Sequence, residues 1–451
     1  MADSVRLEKS LGLLDATTIV MGSMIGSGVF IVAADISRQV MSPGLMLVTW
    51  VVTAVLTIIG ALSYGELAAA MPRAGGQYVY LREAYGPMVG FLYGWTLFLV
   101  IQTGTIAAVA VAFAKYAGVI FPMSVSMQQW LGIAIVVLLS WVNSRGVRFG
   151  AVVQNVFTIA KVGTLLALVV FGFAVGRSEA AVARNFGDFW GASTFDWTSI
   201  RLVGVAMVGS LFSSDAWNNV TFTGSEIRKP ERNLPLALVL GVSVVSLLYM
   251  ATNYVYLLVL PFEAIQSAPQ DRVATAAVSS MLGSGAAYVM AAAIMVSTFG
   301  CINGMVMSGA RVYYAMAKDG LFFKSVSRID PVSKTPRVSL LVQCIAACIL
   351  TLSGKYGDLL DYVIFAVLLF YILTIAGILV LRSRRPEMER PYRALGYPVL
   401  PVIYILLAGL LEILLLLYKP SYTWPGLMIV LLGIPVYFFW TFLNRRKEVK
   451  A

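Results

Sequence analysis

The chain has 451 residues, 59% of them hydrophobic and only 12% charged, and it carries 33 Lys and Arg against 22 Asp and Glu. Soluble globular domains carry about 25% charged residues, so a mean hydropathy of +0.84 excludes a single water-bathed core and requires lipid around much of the surface. The formal charge of +11 calls for no nucleic-acid partner, because basic loops lying against an anionic leaflet account for it.

Spanning the hydrocarbon takes roughly 20 apolar residues per helix. The apolar runs here are long and continuous rather than short and alternating, so they read as helices and not as barrel strands. The N-terminal MADSVRLEKSLG leads straight into a full-length span, with no small-residue cleavage site, so no removable signal peptide is expected. Twelve spans are predicted at roughly 12–37, 43–70, 86–117, 125–142, 150–175, 198–222, 235–260, 283–316, 337–353, 358–381, 398–418 and 424–443. The piece at 72–85 is too short and polar to span and reads as re-entrant or interfacial, and the amphipathic stretch 261–282 reads as a cap on one face. With the N-terminus inside, the inner segments collect 24 of the 33 basic residues and the outer segments eight, with Lys161 left inside a span. The positive-inside rule then puts both termini in the cytoplasm of a multi-pass protein in the cell (inner) membrane.

Cys301, Cys344 and Cys348 fall in apolar segments and read as small buried side chains. Histidine is absent, which removes the commonest proton shuttle and metal ligand. No metal site or cofactor is expected.

Two spans are interrupted by residues that do not favour helix. The first contains GSMIGSGVF (22–30), and the sixth contains SLFSSDAWNN (210–219). Each break lies about 15 residues from where its span begins, or about 22 Å along a helix. The two spans enter from opposite faces, so both breaks fall near mid-membrane. For one glycine-rich helix alone, close packing is the ordinary explanation. Two breaks five spans apart, the second bearing an aspartate, point instead to an inverted repeat of five helices plus five with binding at discontinuous helices. Unwinding exposes amides that attract a carboxylate and carbonyls that attract an ammonium. A zwitterionic α-amino acid offers both groups.

Five segments in order carry a resemblance: GSGVF (26–30), SYGELAAAMPRAGGQYVYLREAYGPMVGFLYGW (63–95), DAWNNVTFTGSEIRKPERNLP (215–235), FGCINGMVMSGARVYYAMAKDG (299–320) and RPYRALGYPVLP (390–401). Together they resemble the amino acid–polyamine–organocation superfamily, most closely the bacterial relatives of the L-type amino acid transporters. The resemblance implies an all-α LeuT-like fold in one transmembrane domain, with repeats at about 12–175 and 198–381 and two further helices at about 398–443. It also implies that the amides of Gly26, Ser27 and Gly28 hold the substrate carboxylate. The carbonyls of Met24, Ile25, Phe212 and Asp215 then face the ammonium, with the Phe212 ring as an outer gate. Ser213, Ser214, Asp215 and Asn218 complete the implied pocket; Ser214 and Asp215 stand where mammalian members have a tyrosine and a glycine. Those members also join a glycoprotein through a cysteine in the second outer loop. The corresponding stretch here, GVIFPMSV (118–125), has none, so no disulfide-linked heavy chain is expected and the chain is expected to be a monomer.

Lys161 lies about 15 Å into a hydrocarbon core of about 30 Å, where an unpartnered lysine is costly. Two readings stand side by side: a lysine tied to neighbouring carbonyls, and a lysine with a part in transport. The resemblance implies the place of a sodium ion in sodium-coupled relatives, bridging helices 1 and 8, where Cys301 and Met305 replace hydroxyls. Glu66 reads as a packed, hydrogen-bonded carboxylate, Asp15 and Asp35 as solvated, and Trp217 as packing beside the site. A channel would want a polar stripe along the pore, and an enzyme a nucleophile–base pair or metal cluster; neither pattern is present in the sequence. The expected function is sodium-independent transport or exchange of neutral L-amino acids. Proton-coupled uptake, including that of cationic amino acids or polyamines, is the alternative.

Overall fold

The computed structural model describes residues 7–448 apart from 192, 194, 195, 284 and 353–355. Three basic residues counted above, Arg6, Lys355 and Lys450, lie outside the described residues. Everything regular among those described is helix, and the one isolated bridge joins Leu11 to Ile227.

The order is α1 (Leu13–Met24), α2 (Gly28–Val40), α3 (Pro43–Ala70), α4 (Gln77–Tyr85) and α5 (Pro87–Thr96), which runs through a π-helical turn (Leu97–Ile101) into α6 (Gln102–Ile120). Then follow α7 (Val125–Ser144), α8 (Val147–Ala174), α9 (Glu179–Gly187), α10 (Trp197–Ser213), the single turn α11 (Asn219–Phe222) and α12 (Pro230–Val259). The chain continues through α13 (Phe262–Gln266), α14 (Val273–Leu282), α15 (Ala286–Lys318), α16 (Arg337–Leu352), α17 (Tyr356–Arg384), α18 (Val399–Tyr418) and α19 (Pro420–Glu448). Starts follow local chemistry. Ser42 accepts from the Leu45 amide ahead of Pro43, and Asp196 accepts from the Ser199 amide to open α10.

Among the described residues, nine helices are long and apolar enough to cross a bilayer, and the bent pair α1–α2 makes a tenth. Of the other predicted spans, α10 and α16 are apolar but shorter, at 17 and 16 residues. The 72–85 piece contains the nine-residue α4, and 261–282 breaks into α13, a short 3₁₀ turn and α14.

The most extensive helix pairings include α3 against α12, α6 against α15, α2 against α10, α1 against α12 and α8 against α15. The loops sort into two groups that bond within themselves. In one, Arg38 meets Asp271 at 2.8 Å and Arg184 meets Glu263 at 2.6 Å. In the other, Arg385 meets Glu83 at 2.7 Å, Arg82 meets Asp319, and Glu66 is clasped by Arg382 at 2.6 Å and by the Ala394 amide at 2.7 Å. Glu66 is thus the packed carboxylate that its position suggested.

Two expectations need correction. Asp15 is not simply solvated: one oxygen accepts from the Gly12 amide at 2.8 Å and the other from Asn155 at 2.7 Å, so it caps α1 and ties it to α8. Cys348 is only partly buried, although Cys301 and Cys344 are buried as read. Asp35 is exposed, as read.

Candidate functional site

The first interruption runs from Ile25 to Ser27. There α1 gives way to α2 with a bend of 41°. Ile25 is extended (φ −76°, ψ 94°), so the carbonyls at the end of α1 and the first amides of α2 have no partner one helical turn away. The second interruption runs from Ser214 to Asn218, between α10 and α11, with Ala216 in the left-handed region at φ 65°. The two breaks touch. A Cβ on Gly28 would lie 2.2 Å from Ser213 Oγ and 3.0 Å from its Cα, so only glycine allows this approach. At Gly26 the nearest atom would be Cys301 Sγ at 3.3 Å, a tight but less severe fit.

Lys161 is fully buried on α8. Its Nζ donates to Gly22 O at 2.6 Å, Ile25 O at 2.7 Å and Ser297 O at 3.1 Å. All three partners are carbonyls and can only accept, so they use all three protons of an ammonium; a neutral amine has only two to give. No carboxylate forms an ion pair with Lys161 among the described residues. This one side chain therefore joins α8, the end of α1 and α15. Cys301 Sγ donates to Ser23 O at 3.1 Å beside it.

Several partners of the break carry no signal in the sequence reading. Ser297 Oγ lies 2.8 Å from Gly26 O and 3.2 Å from Ile25 O. The single Ser297 hydroxyl proton serves Gly26 O, the nearer acceptor, while Ile25 O takes Lys161. The Tyr249 hydroxyl, on α12, lies 3.1 Å from Met24 O and 3.1 Å from Ser213 O, bridging the two breaks. Ser297 could have been found, since it sits one turn before Cys301 on the same helix face. Tyr249 stands in an ordinary apolar run, and nothing in the pattern marks it.

Around the second break, Asp215 Oδ1 accepts from the Tyr371 hydroxyl at 2.7 Å, and Asn218 Nδ2 donates to Gln77 Oε1 at 2.7 Å. These residues, with Tyr93, Gln102, Thr105, Asn219 and Met305, line a central cavity. A second small space behind Asp215 is lined by Ser214, Trp217, Tyr371 and Tyr404. Trp217 packs edge-on to Tyr64 at 4.8 Å, beside the cavity as expected. The Phe212 ring is buried at the end of α10. Of the predicted residues, Asp215 and Asn218 line the central cavity and Ser214 the space behind it, whereas Met24 to Gly28, Phe212, Ser213, Lys161 and Cys301 meet one another at the breaks without lining it. The central cavity beside the second break holds only about 10 Å³, the room of about one water.

Two larger recesses flank this centre. One, of about 960 Å³, is lined by Lys9, Arg73, Arg82, Lys318 and Arg328; the other, of about 640 Å³, by Lys115, Tyr116 and Arg272. Along α6 the centre is reached at Thr105 and the second recess at Ala112; along α15 the centre is reached at Met305 and the first recess at Tyr314. At 1.5 Å per residue the recesses begin about 10–15 Å from the centre.

A helical polytopic membrane protein with two interrupted helices meeting at a closed polar centre, between recesses at either end, has the organisation of a secondary transporter. Comparison with known proteins agrees. The chain belongs to the amino acid permease family, whose model matches residues 11–440. It is 31% identical to mouse Asc-type amino acid transporter 1, covering 99% of this chain and 84% of the relative. It is 31% identical to human large neutral amino acids transporter small subunit 2, covering 98% and 82%. It is 30% identical to human b(0,+)-type amino acid transporter 1, covering 96% and 88%.

Proposed function

We propose that this protein transports neutral L-amino acids across the cell membrane by alternating access, without sodium. The observation that carries the reading is the pair of touching helix breaks at a buried centre, which offers amides to a carboxylate and carbonyls to an ammonium. Gly26 and Ser27, in the break, and Gly28, at the start of α2, present their amides to the carboxylate. Of the expected ammonium acceptors, Ile25 O takes Lys161, Met24 O lies 3.1 Å from the Tyr249 hydroxyl and Phe212 O takes the Asp215 amide, so the ammonium uses the second lone pair of these carbonyls together with Asp215. Since the centre holds only about one water, its walls must part before an amino acid enters, and the two recesses supply the directions of opening.

The pairings of α3 with α12, α6 with α15, α7 with α16 and α2 with α10, each between predicted spans five apart, support twelve membrane helices arranged as a 5+5 inverted repeat, with α1–α2 matching α10–α11, and α18 and α19 standing outside the repeats. The segregation of basic loops supports both termini on the cytoplasmic side. One of the mammalian relatives is named a small subunit; the cysteine-free stretch at 118–125 supports action without a disulfide-linked partner, as a monomer.

A second reading, transport of cationic amino acids with or without proton coupling, is favoured by one observation, the Asp215 carboxylate at the cavity wall. A competition series in proteoliposomes, testing all twenty amino acids with and without internal substrate, decides between them. Inhibition by neutral amino acids and dependence on internal substrate support neutral exchange. Preferential inhibition by lysine and arginine, or uptake driven by a pH gradient alone, overturns it.

A further inference from the structure

One wall of the central cavity carries hydrogen bonds whose direction is set from the far end. Thr374, on α17, donates its hydroxyl proton to the Phe370 carbonyl one turn back, 2.7 Å away, a usual local bond for a threonine inside a helix. With that proton committed, the Thr374 oxygen only accepts. Gln77 meets it with its NH₂, Nε2 lying 3.0 Å from Thr374 Oγ1. Gln77 is thereby left with Oε1 toward Asn218, and Asn218 meets it with its own NH₂ at 2.7 Å. The open end of the chain is Asn218 Oδ1, on a residue that lines the cavity. Tyr93 stands beside Asn218 on the same wall, and a carbonyl oxygen with two lone pairs still has an acceptor position to offer. All three relay residues are buried, Thr374 and Gln77 at 1% exposure and Asn218 at 5%. Turning any one amide over would set two donors or two acceptors face to face with no water to relieve them.

We infer that Gln77 and Thr374 are positioning residues that hold the Asn218 amide with its carbonyl toward the cavity, so that this wall receives a hydrogen-bond donor of the transported amino acid and disfavours an acceptor there. The inference rests on the reading of this cavity as the amino-acid site. It assigns a selective role to α4 and α17, which contribute to neither helix break.

The test uses purified full-length protein in proteoliposomes, with radiolabelled L-alanine and L-leucine, comparing wild type, Thr374→Val and Thr374→Ser. Valine keeps the shape but removes the acceptor that orients Gln77, whereas serine keeps the hydroxyl. Thr374→Val should raise KM by about tenfold with the maximal rate within about twofold, and Thr374→Ser should restore KM. In an Asn218→Ala background, Thr374→Val should bring no further rise, because the amide it orients is gone. An unchanged KM in Thr374→Val overturns the relay. So does a fall in maximal rate alone, or a rise that persists without Asn218. Should Thr374→Val not reconstitute, Gln77→Met applies the same comparison from the middle of the chain. Absence of saturable uptake of either amino acid by wild type would instead sink the transport reading itself; saturable wild-type uptake with an indifferent Thr374→Val sinks only the relay.

Discussion

Lys161 Nζ lies 2.7 Å from the carbonyl oxygen of Ile25, the residue at which the first membrane helix unwinds. A buried ammonium thus sits on the open carbonyl end of a broken helix. Its other two bonds, to Gly22 and Ser297, spread the link over three helices.

Transport should therefore be indifferent to sodium. Replacing sodium with potassium or choline at fixed pH should leave the initial rate of uptake unchanged, and a several-fold loss would contradict the role given to the ammonium.

Removing that ammonium should slow movement more than folding. Lys161→Ala should purify as a monodisperse protein yet exchange substrate at least about tenfold more slowly, the equivalent of about one charged hydrogen bond at 1.5–3 kcal/mol. Arginine should not rescue it, since a planar fork cannot place three donors on three converging carbonyls. Initial rates at saturating substrate check this, and a wild-type rate in Lys161→Ala would reduce the residue to packing.

The contact between the two breaks makes a graded prediction. Gly28→Ala drives a methyl to 2.2 Å from Ser213 Oγ, against the second break itself, and should abolish transport. Gly26→Ala meets only Cys301 Sγ at 3.3 Å. It should retain measurable transport, improved by adding Cys301→Ala. Equal effects of the two glycine substitutions would show that the breaks do not need to touch.

How much of this was legible in the sequence depends on the chemistry of each part. The breaks were legible because glycines, serines and an aspartate are out of place in apolar helices, and the structure unwinds at 25–27 and 214–218, inside the stretches read. Lys161 was legible for the same reason. Tyr249 and Thr374 were not, because a tyrosine or threonine in a membrane helix is ordinary, nor was Gln77, a polar residue in a polar segment; in each case the partner is set by packing alone. The tie from Asp15 to α8 was missed because its partner Asn155 lies 140 residues away, whereas the cap on the Gly12 amide is local. The short α10 and α16 show why twelve spans could be read from hydropathy while length alone gives ten among the described residues.

A buried ion pair that the sequence reading overlooked also makes a prediction. Arg311 on α15 holds Glu226 through two bonds of 2.8 and 2.9 Å, with both side chains fully buried. Glu226 closes the turn after α11, so the pair anchors the second broken helix to α15. Removing one partner leaves a buried charge alone, which costs about 3–5 kcal/mol. Arg311→Met should lower Tm markedly, and Glu226→Gln added to it should recover part of the loss. A Tm unchanged by Arg311→Met would show that the pair contributes nothing to the fold.

The central claim is that the two helix breaks bind both charged ends of a free α-amino acid. Its most direct test is competition against uptake of a labelled neutral amino acid by proteoliposomes, comparing each amino acid with its methyl ester and its N-acetyl derivative. Saturable uptake should be blocked by the free amino acid and hardly affected by either derivative, since each lacks one of the two charges. A methyl ester that competes as well as its parent acid would contradict the placement of the carboxylate at Gly26 to Gly28.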